Sequence, residues 1–210
     1  ICGATRSAIR GYGNTSPTIQ NCYIDDNKMA FLSPAGGAWF RNCLIVRNGP
    51  GENTIQCAGD LFIDNSILVD NAGGYVWDAV VMFFGDRMDV NNCTVVNNSA
   101  HPFDIWAINT NNIRISNTII WNNAYTLSQS WYEGTVQYSC VQGGYSGVGI
   151  ITADPQLTWS PYRLQQTSPC VDAGTSIEMP TLDIMGIPRW DAPFRTNTYS
   201  THDMGAWEFV

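Results

Sequence analysis

Charge is scarce in this chain. Only 13% of its 210 residues are Asp, Glu, Lys or Arg, and lysine occurs once, at Lys28. A chain so poor in charge and 44% apolar is neither disordered nor a coiled coil, since both need far more charge. Glu, Lys and Ala are few, which argues against helices. Long apolar runs are missing. The longest strongly apolar stretch, Val80–Phe84, falls far short of the ~20 residues of a membrane span and reads as a buried strand. Ten basic residues face eighteen acidic ones, for a net charge of -8. Spread so thinly, they form no stripe for nucleic-acid phosphates or an anionic membrane surface. Seven cysteines are present, with no Cys-x-x-Cys pair and no Cys/His cluster of zinc-like spacing.

Asn is abundant, with Gly, Thr, Ile and Val beside it. That mixture favours strands and turns. The length fits one domain, or one plus an appendage, and buries a core without obligatory disulfides. A start at Ile1, without Met or a leader-like segment, is expected of a processed product.

A repeat organises residues 17–144. Ile19-Gln-Asn-Cys-Tyr-Ile-Asp-Asp-Asn27 returns as Phe40–Asn48, Ile63–Asn71, Val90–Asn98 and Ile115–Asn123, with a weaker copy at Val136–Gly144. The pattern is aliphatic-x-Asn-small-x-aliphatic-x-polar-Asn, at spacings of 21, 23, 27, 25 and 21 residues. Helical repeats are longer, and leucine-rich repeats need a Leu framework that is absent here. The period, with β-branched residues, fits one turn of a parallel β-solenoid whose coils stack about 4.8 Å apart.

Each column of the repeat has a physical reading. Ile19, Phe40, Ile63, Val90, Ile115 and Val136 form one inward stack. Ile24, Ile45, Leu68, Val95, Ile120 and Val141 form a second. Cys22, Cys43, Ser66, Cys93, Thr118 and Ser139 form a small-residue column beside a bend. Asn exchanging with Gly in the closing column (Asn27, Asn48, Asn71, Asn98, Asn123, Gly144) marks it as a left-handed backbone position. Its stacked amides can hydrogen-bond along the axis. Asn21, Asn42, Asn65, Asn92 and Asn117 suggest a second such ladder. Cys22 and Cys43, one coil apart, fall within the Cα window for a disulfide, but parallel side chains bridge poorly, so a reduced column is the alternative.

This repeat resembles the right-handed parallel β-helix family, which includes pectate lyases, polygalacturonases, alginate epimerases and many bacterial surface proteins. The resemblance implies an all-β, right-handed parallel β-helix over residues 1–150, of about six to seven coils, with residues 151–210 as a non-repetitive C-terminal cap. Residues 1–16 read as an incomplete first coil, so the chain is open to being part of a longer one. Beyond the Gly-rich boundary at 143–149 come Ala153-Asp-Pro-Gln-Leu157, Tyr162-Arg-Leu164, Ser168-Pro-Cys-Val-Asp-Ala-Gly174, Leu182–Arg189 and Asp203-Met-Gly-Ala-Trp-Glu208. This series looks like the segment that follows β-helix repeats in secreted or cell-surface bacterial proteins, with Cys170 where those carry Ala. A cap of this kind would cover the unpaired last coil.

Three constellations carry chemistry. Three residues before each first Asn lie Thr18, Trp39, Phe62, Asp89 and Arg114, expected to face outward. Trp39 and Phe62 would form an aromatic step and Asp89–Arg114 an ion pair across coils, which suits a polysaccharide strand or a lateral protein contact. Asp60 and Asp86, in matching Gly-Asp pairs, are expected to stack, with Asp64, Arg87 and Asp89 nearby. Paired carboxylates are what glycoside hydrolysis needs. The polygalacturonase set of Asn-Thr-Asp, Gly-His-Gly and Arg-Ile-Lys is absent, and His101 and His202 stand apart, so a catalytic role for Asp60, Asp86, Arg87 and Asp89 rests on that pairing alone. In the tail, Asp172, Asp183, Asp203 and Glu208 would bind Ca²⁺ if they converge; otherwise they cap turns and pair with Arg163 and Arg189.

The expectation is a secreted or cell-surface structural or adhesive module of bacterial type, binding polysaccharide or copies of itself, without nucleic acid or a membrane span. The alternative is a carbohydrate-active enzyme, a lyase or glycosidase, or a polysaccharide-binding domain.

Overall fold

Each copy of the repeat supplies short β-branched or aromatic stretches, and each stretch becomes a strand. The computed structural model describes residues 1–50, 52–73, 79–105, 112–127, 134–177 and 179–210. Among them run strands β1 to β17, in three parallel sheets. The first sheet holds β1 (Ser7–Arg10), β4 (Met29–Ser33), β7 (Ile55–Cys57), β10 (Ala79–Phe83) and β13 (His101–Ile105). The second holds β2 (Thr18–Gln20), β5 (Ala38–Arg41), β8 (Leu61–Asp64), β11 (Met88–Asn91), β14 (Ile113–Ser116) and β16 (Thr135–Gln137). The third holds β3 (Tyr23–Asp25), β6 (Leu44–Val46), β9 (Ile67–Val69), β12 (Thr94–Val96), β15 (Ile119–Trp121) and β17 (Cys140–Val141).

The chain therefore winds as a parallel β-helix. It completes about five turns, since the first sheet has five strands. The repeat copies suggested six to seven. The difference lies at the end, where the sixth copy supplies only β16 and β17 among the described residues.

The register sets both predicted inward stacks in line, Ile19 to Val136 in the second sheet and Ile24 to Val141 in the third. All of them are buried. The first sheet adds Phe31, Ile55, Val81 and Phe103, also in register and buried. Phe31 meets Phe40 edge to face, with ring centroids 5.3 Å apart.

Two bends per coil explain the asparagine. The bend between second and third sheets puts Asn21, Asn42, Asn65, Asn92 and Asn117 in the left-handed region, at φ between 49° and 53°. Asn tolerates that conformation better than most L-residues. The second left-handed position corrects the expectation by one residue. It falls on Asp26, Arg47, Asp70, Asn97 and Asn122 (φ 51–57°), just before the closing Asn column. The closing residues are Asn for another reason, since their amides bind the backbone around the bend. Asn48 Nδ2 donates to Val46 O at 2.8 Å and to Ile24 O at 2.9 Å, and its own N–H donates to Asn71 Oδ1 at 3.0 Å. The same rung links Asn27 to Asn48, Asn71 to Asn98 and Asn98 to Asn123.

The tail begins as a cap and continues as a flank. Ile151 lies parallel to Cys140, and Val148 and Ile151 take hydrogen bonds from Tyr138 and Val141, so this stretch covers the last edge of the third sheet. The remainder runs back along the outer face of that sheet. Val46, Ile67, Val69, Val96 and Ile119 form a second apolar cluster there with Tyr162, Leu164, Val171, Met204 and Trp207. At about 25 cal/mol per Å² of apolar surface, covering this strip is the main force holding the tail down.

Candidate functional site

The outer face of the second sheet carries two in-register columns. One is Thr18, Trp39, Phe62, Asp89, Arg114 and Thr135; the other is Gln20, Arg41, Asp64, Asn91, Ser116 and Gln137. The stretch from Trp39 to Arg114 of the first and from Asp64 to Gln137 of the second, with Arg87, lines a groove of about 250 Å³, walled on one side by Ile177 of the tail. The predicted aromatic step is present, with Trp39 and Phe62 centroids 5.3 Å apart and tilted by 42°. Arginines lie over both rings. Arg41 sits 3.9 Å from the Trp39 ring centroid and Arg87 5.0 Å from that of Phe62. The groove thus presents guanidinium groups, carboxylates and amides around an aromatic floor. Asp89 pairs with Arg87 at 2.6 Å, a same-strand partner, while Arg114 is its neighbour in register.

Asp64 is the centre of this face. Trp39 Nε1 donates to its Oδ2 at 2.7 Å, and Arg41 Nε lies 3.8 Å away. Burial pushes its carboxyl above the ordinary value, while the Trp39 N–H and Arg41 oppose that rise. The sequence held a signal for it. Asp64 stands two residues after Phe62 on the same strand, and therefore on the same face.

Asp60 and Asp86 are exposed at the corner before the second sheet, and neither lines the groove. Their glycines explain the matching pairs. A Cβ on Gly59 would come within 2.5 Å of Gly37 N, and one on Gly85 within 2.4 Å of Gly59 O. The coils pass too close there for any side chain. Leu61 N–H donates to Arg87 O, so Arg87 rather than Asp86 stands level with Asp60. An extra residue between Gly85 and Met88 causes the shift.

The four tail carboxylates are buried, and they accept from backbone amides. Asp203 takes Asp172 N–H at 2.8 Å and Phe209 N–H at 2.6 Å. Asp183 takes Met185 N–H and Ile187 N–H, at 2.8 and 2.9 Å. Glu208 takes Trp190 N–H at 2.9 Å and pairs with buried Arg189 at 2.9 Å. Asp172 accepts from Ala192 N–H at 3.4 Å. Burial and the nearby Glu208 push Asp203 up to about 8, and burial raises Glu208 to about 7. Among the described residues, no group of three or more His, Cys, Asp or Glu side chains is placed to hold a metal ion. Arg163 stacks on Trp207 at 4.4 Å.

Arg189 also joins the tail to the coils. Its Nη2 donates to Asn65 Oδ1 at 2.9 Å, and Asn65 Nδ2 donates to Leu182 O at 2.9 Å. Asn117 Oδ1 accepts from Thr175 N–H at 2.7 Å. The bend asparagines thus bond one another in early and later coils alike, and from Asn65 onward they also bond the tail. Between sheet and tail, a mostly apolar cleft of about 800 Å³ opens, with Leu44 and Ile67 of the third sheet on one side and Trp159, Tyr162 and Met185 on the other. The seven cysteines are unbridged in this structure; Cys43 and Cys93 donate to the carbonyls two residues before them, Arg41 O and Asn91 O.

A family model described as "Right handed beta helix region" matches residues 6–159. No curated protein and no solved structure matches the chain.

Proposed function

Because this chain belongs to the right-handed β-helix family, we propose that its coils serve as a rigid surface module that holds a polysaccharide strand along the outer face of the second sheet. The carrying observation is the groove of Trp39, Phe62, Asp64, Arg87, Asp89 and Arg114, where hydrogen-bonding groups repeat at the coil spacing around an aromatic floor. Sugar hydroxyls pair with carboxylates, amides and guanidinium groups, and ring faces pack on aromatic side chains. Strands position such groups more rigidly than loops do, so little ordering cost is added on binding. The setting we propose is extracellular, at a bacterial surface. The likeness of the tail to those of secreted β-helix proteins supports it.

The test is binding to a panel of neutral, uronic and sulfated polysaccharides by affinity electrophoresis and calorimetry. One class should bind, and Phe62→Ala should weaken it roughly tenfold, by the usual worth of a buried aromatic contact. No binding across the panel, or equal binding by Phe62→Ala and wild type, would refute the reading. The same samples, assayed for new reducing ends and unsaturated products, separate binding from cleavage. A second reading, self-assembly, is favoured by the aromatic step of Trp39 and Phe62 on the outer face of the sheet, which suits a lateral contact with another copy as well as a sugar ring. A concentration series by sedimentation decides it.

A further inference from the structure

Two departures from pattern meet in the molecule. At the first outward position of the third sheet, successive coils carry Tyr23, Leu44, Ile67, Thr94 and Ile119, and then Cys140. In the tail, Cys170 is the one cysteine among residues 151–210, at a position where the resemblance of this segment implies Ala. Neither pattern asks for sulfur. Yet both side chains are fully buried in the one apolar cluster between sheet and tail. The segment from Ala153 to Pro155 serves both. Cys140 Sγ donates to Ala153 O at 3.4 Å. Ser168 Oγ accepts from Cys170 N–H at 3.1 Å and donates to Pro155 O at 2.6 Å. The Cys170 thiol lies within hydrogen-bonding reach of the Cys140 sulfur.

The two sulfurs approach from opposite layers, one from the sheet and one from the tail. Cys22 and Cys43 also lie within hydrogen-bonding reach of each other, but in a different geometry. Their side chains stand parallel in one column, and each turns to the carbonyl two residues before it, Gln20 O and Arg41 O. Facing side chains meet the geometric demands of a bridge better than parallel ones.

We propose that Cys140 and Cys170 form a disulfide that fastens the tail to the last coil. The oxidant is a disulfide, either glutathione disulfide or a protein dithiol catalyst. One cysteine thiolate attacks it, forming a mixed disulfide and expelling a thiolate. The second cysteine thiolate then attacks the mixed disulfide at the protein sulfur and expels the other thiolate. Two thiol protons leave to solvent, and the oxidant ends as two thiols. Because both sulfurs are buried in the folded chain, exchange precedes the docking of the tail. The inference is independent of what the groove binds.

The experiment folds the full chain with a glutathione redox pair, blocks free thiols in denaturant, and maps a tryptic digest without reductant. Cleavage after Arg114, Arg163 and Arg189 places Cys140 in peptide 115–163 and Cys170 in peptide 164–189. The expected result is these two peptides joined, lighter by two hydrogens than their sum. Reduction should lower the melting temperature by roughly 5–10 °C, as for a closed loop of this length. Cys170→Ala places there the residue that the resemblance of the tail implies; it should fold and lose the response to reductant. Recovery of both peptides unlinked and blocked, or of Cys22 joined to Cys43 instead, would overturn the proposal. So would an unchanged response to reductant in Cys170→Ala.

Discussion

In the coils, buried polar groups are amides repeated at every turn. Asn48, Asn71 and Asn98 each bond the next coil's asparagine and a carbonyl of the coil before, Ile24 O, Ile45 O and Leu68 O in turn. In the tail, the same need is met by carboxylates used once each, namely Asp183, Asp203 and Glu208, with Arg189 between tail and coil. A neutral ladder grows by adding copies, and no rung carries a charge that must be desolvated. The tail has no repeat to lean on. It satisfies several backbone amides with each carboxylate, and it carries the cost of burying charge. The difference teaches where each region is sensitive: the coils to any change of shape, the tail to charge and pH.

Arg189→Met should produce the largest effect. It leaves Glu208 buried without its partner and frees Asn65 Oδ1, for a loss of about 3–5 kcal/mol. Urea denaturation checks this, and a loss below about 1 kcal/mol would show that the amides alone satisfy Glu208. Next, Asn71→Ala should cost about 2–4 kcal/mol, since it strips the partners of Asn48 N–H and of Ile45 O in the buried core. Asn21→Gly, which keeps the left-handed backbone at the exposed start of the outer ladder, should cost less than about 1 kcal/mol. Equal costs would erase the distinction between buried and open ladders.

The pH effect should be smaller, and greater in the tail than at Asp64 of the coils. Folding raises Asp203 from 3.8 to about 8 and Glu208 from 4.5 to about 7. Between those limits the folded chain holds more protons than the unfolded one, so stability falls as pH rises. Thermal melts should give a higher midpoint at pH 5 than at pH 8. Asp203→Asn, which keeps an oxygen acceptor, should flatten the slope. Smallest of all, a chelator should shift the melting temperature by less than about 1 °C, because amides and Arg189 occupy the tail carboxylates.

Much of the coil was readable because it repeats. Ile63 and Leu68 could be placed inward by comparison with five other copies, before any coordinates. The first sheet was readable only at the apolar run of Val80–Phe84, which overlaps β10, since Phe31 and Ile55 lie in the stretch whose length varies between copies. The left-handed residue was misplaced by one because its column mixes Asp, Arg and Asn (Asp26, Arg47, Asp70, Asn97, Asn122), while the residues after it are uniformly Asn up to Asn123. At the groove, Trp39, Phe62 and Asp89 were visible as one column. Asp64 sat in the next column and went unweighted. The partners of Arg189 had no counterpart in any repeat, and a contact made once leaves no period to read.

The central claim is that the coils stand as a self-sufficient scaffold on which the tail is a separately fastened layer. Hydrogen exchange on wild type and Arg189→Met tests it most directly. The account predicts that the variant loses protection at tail amides such as Asp172 and Phe209, while the coil amides of Asn48 and Asn71 keep theirs. Loss of protection in tail and coils together would contradict it, and so would unchanged protection in both.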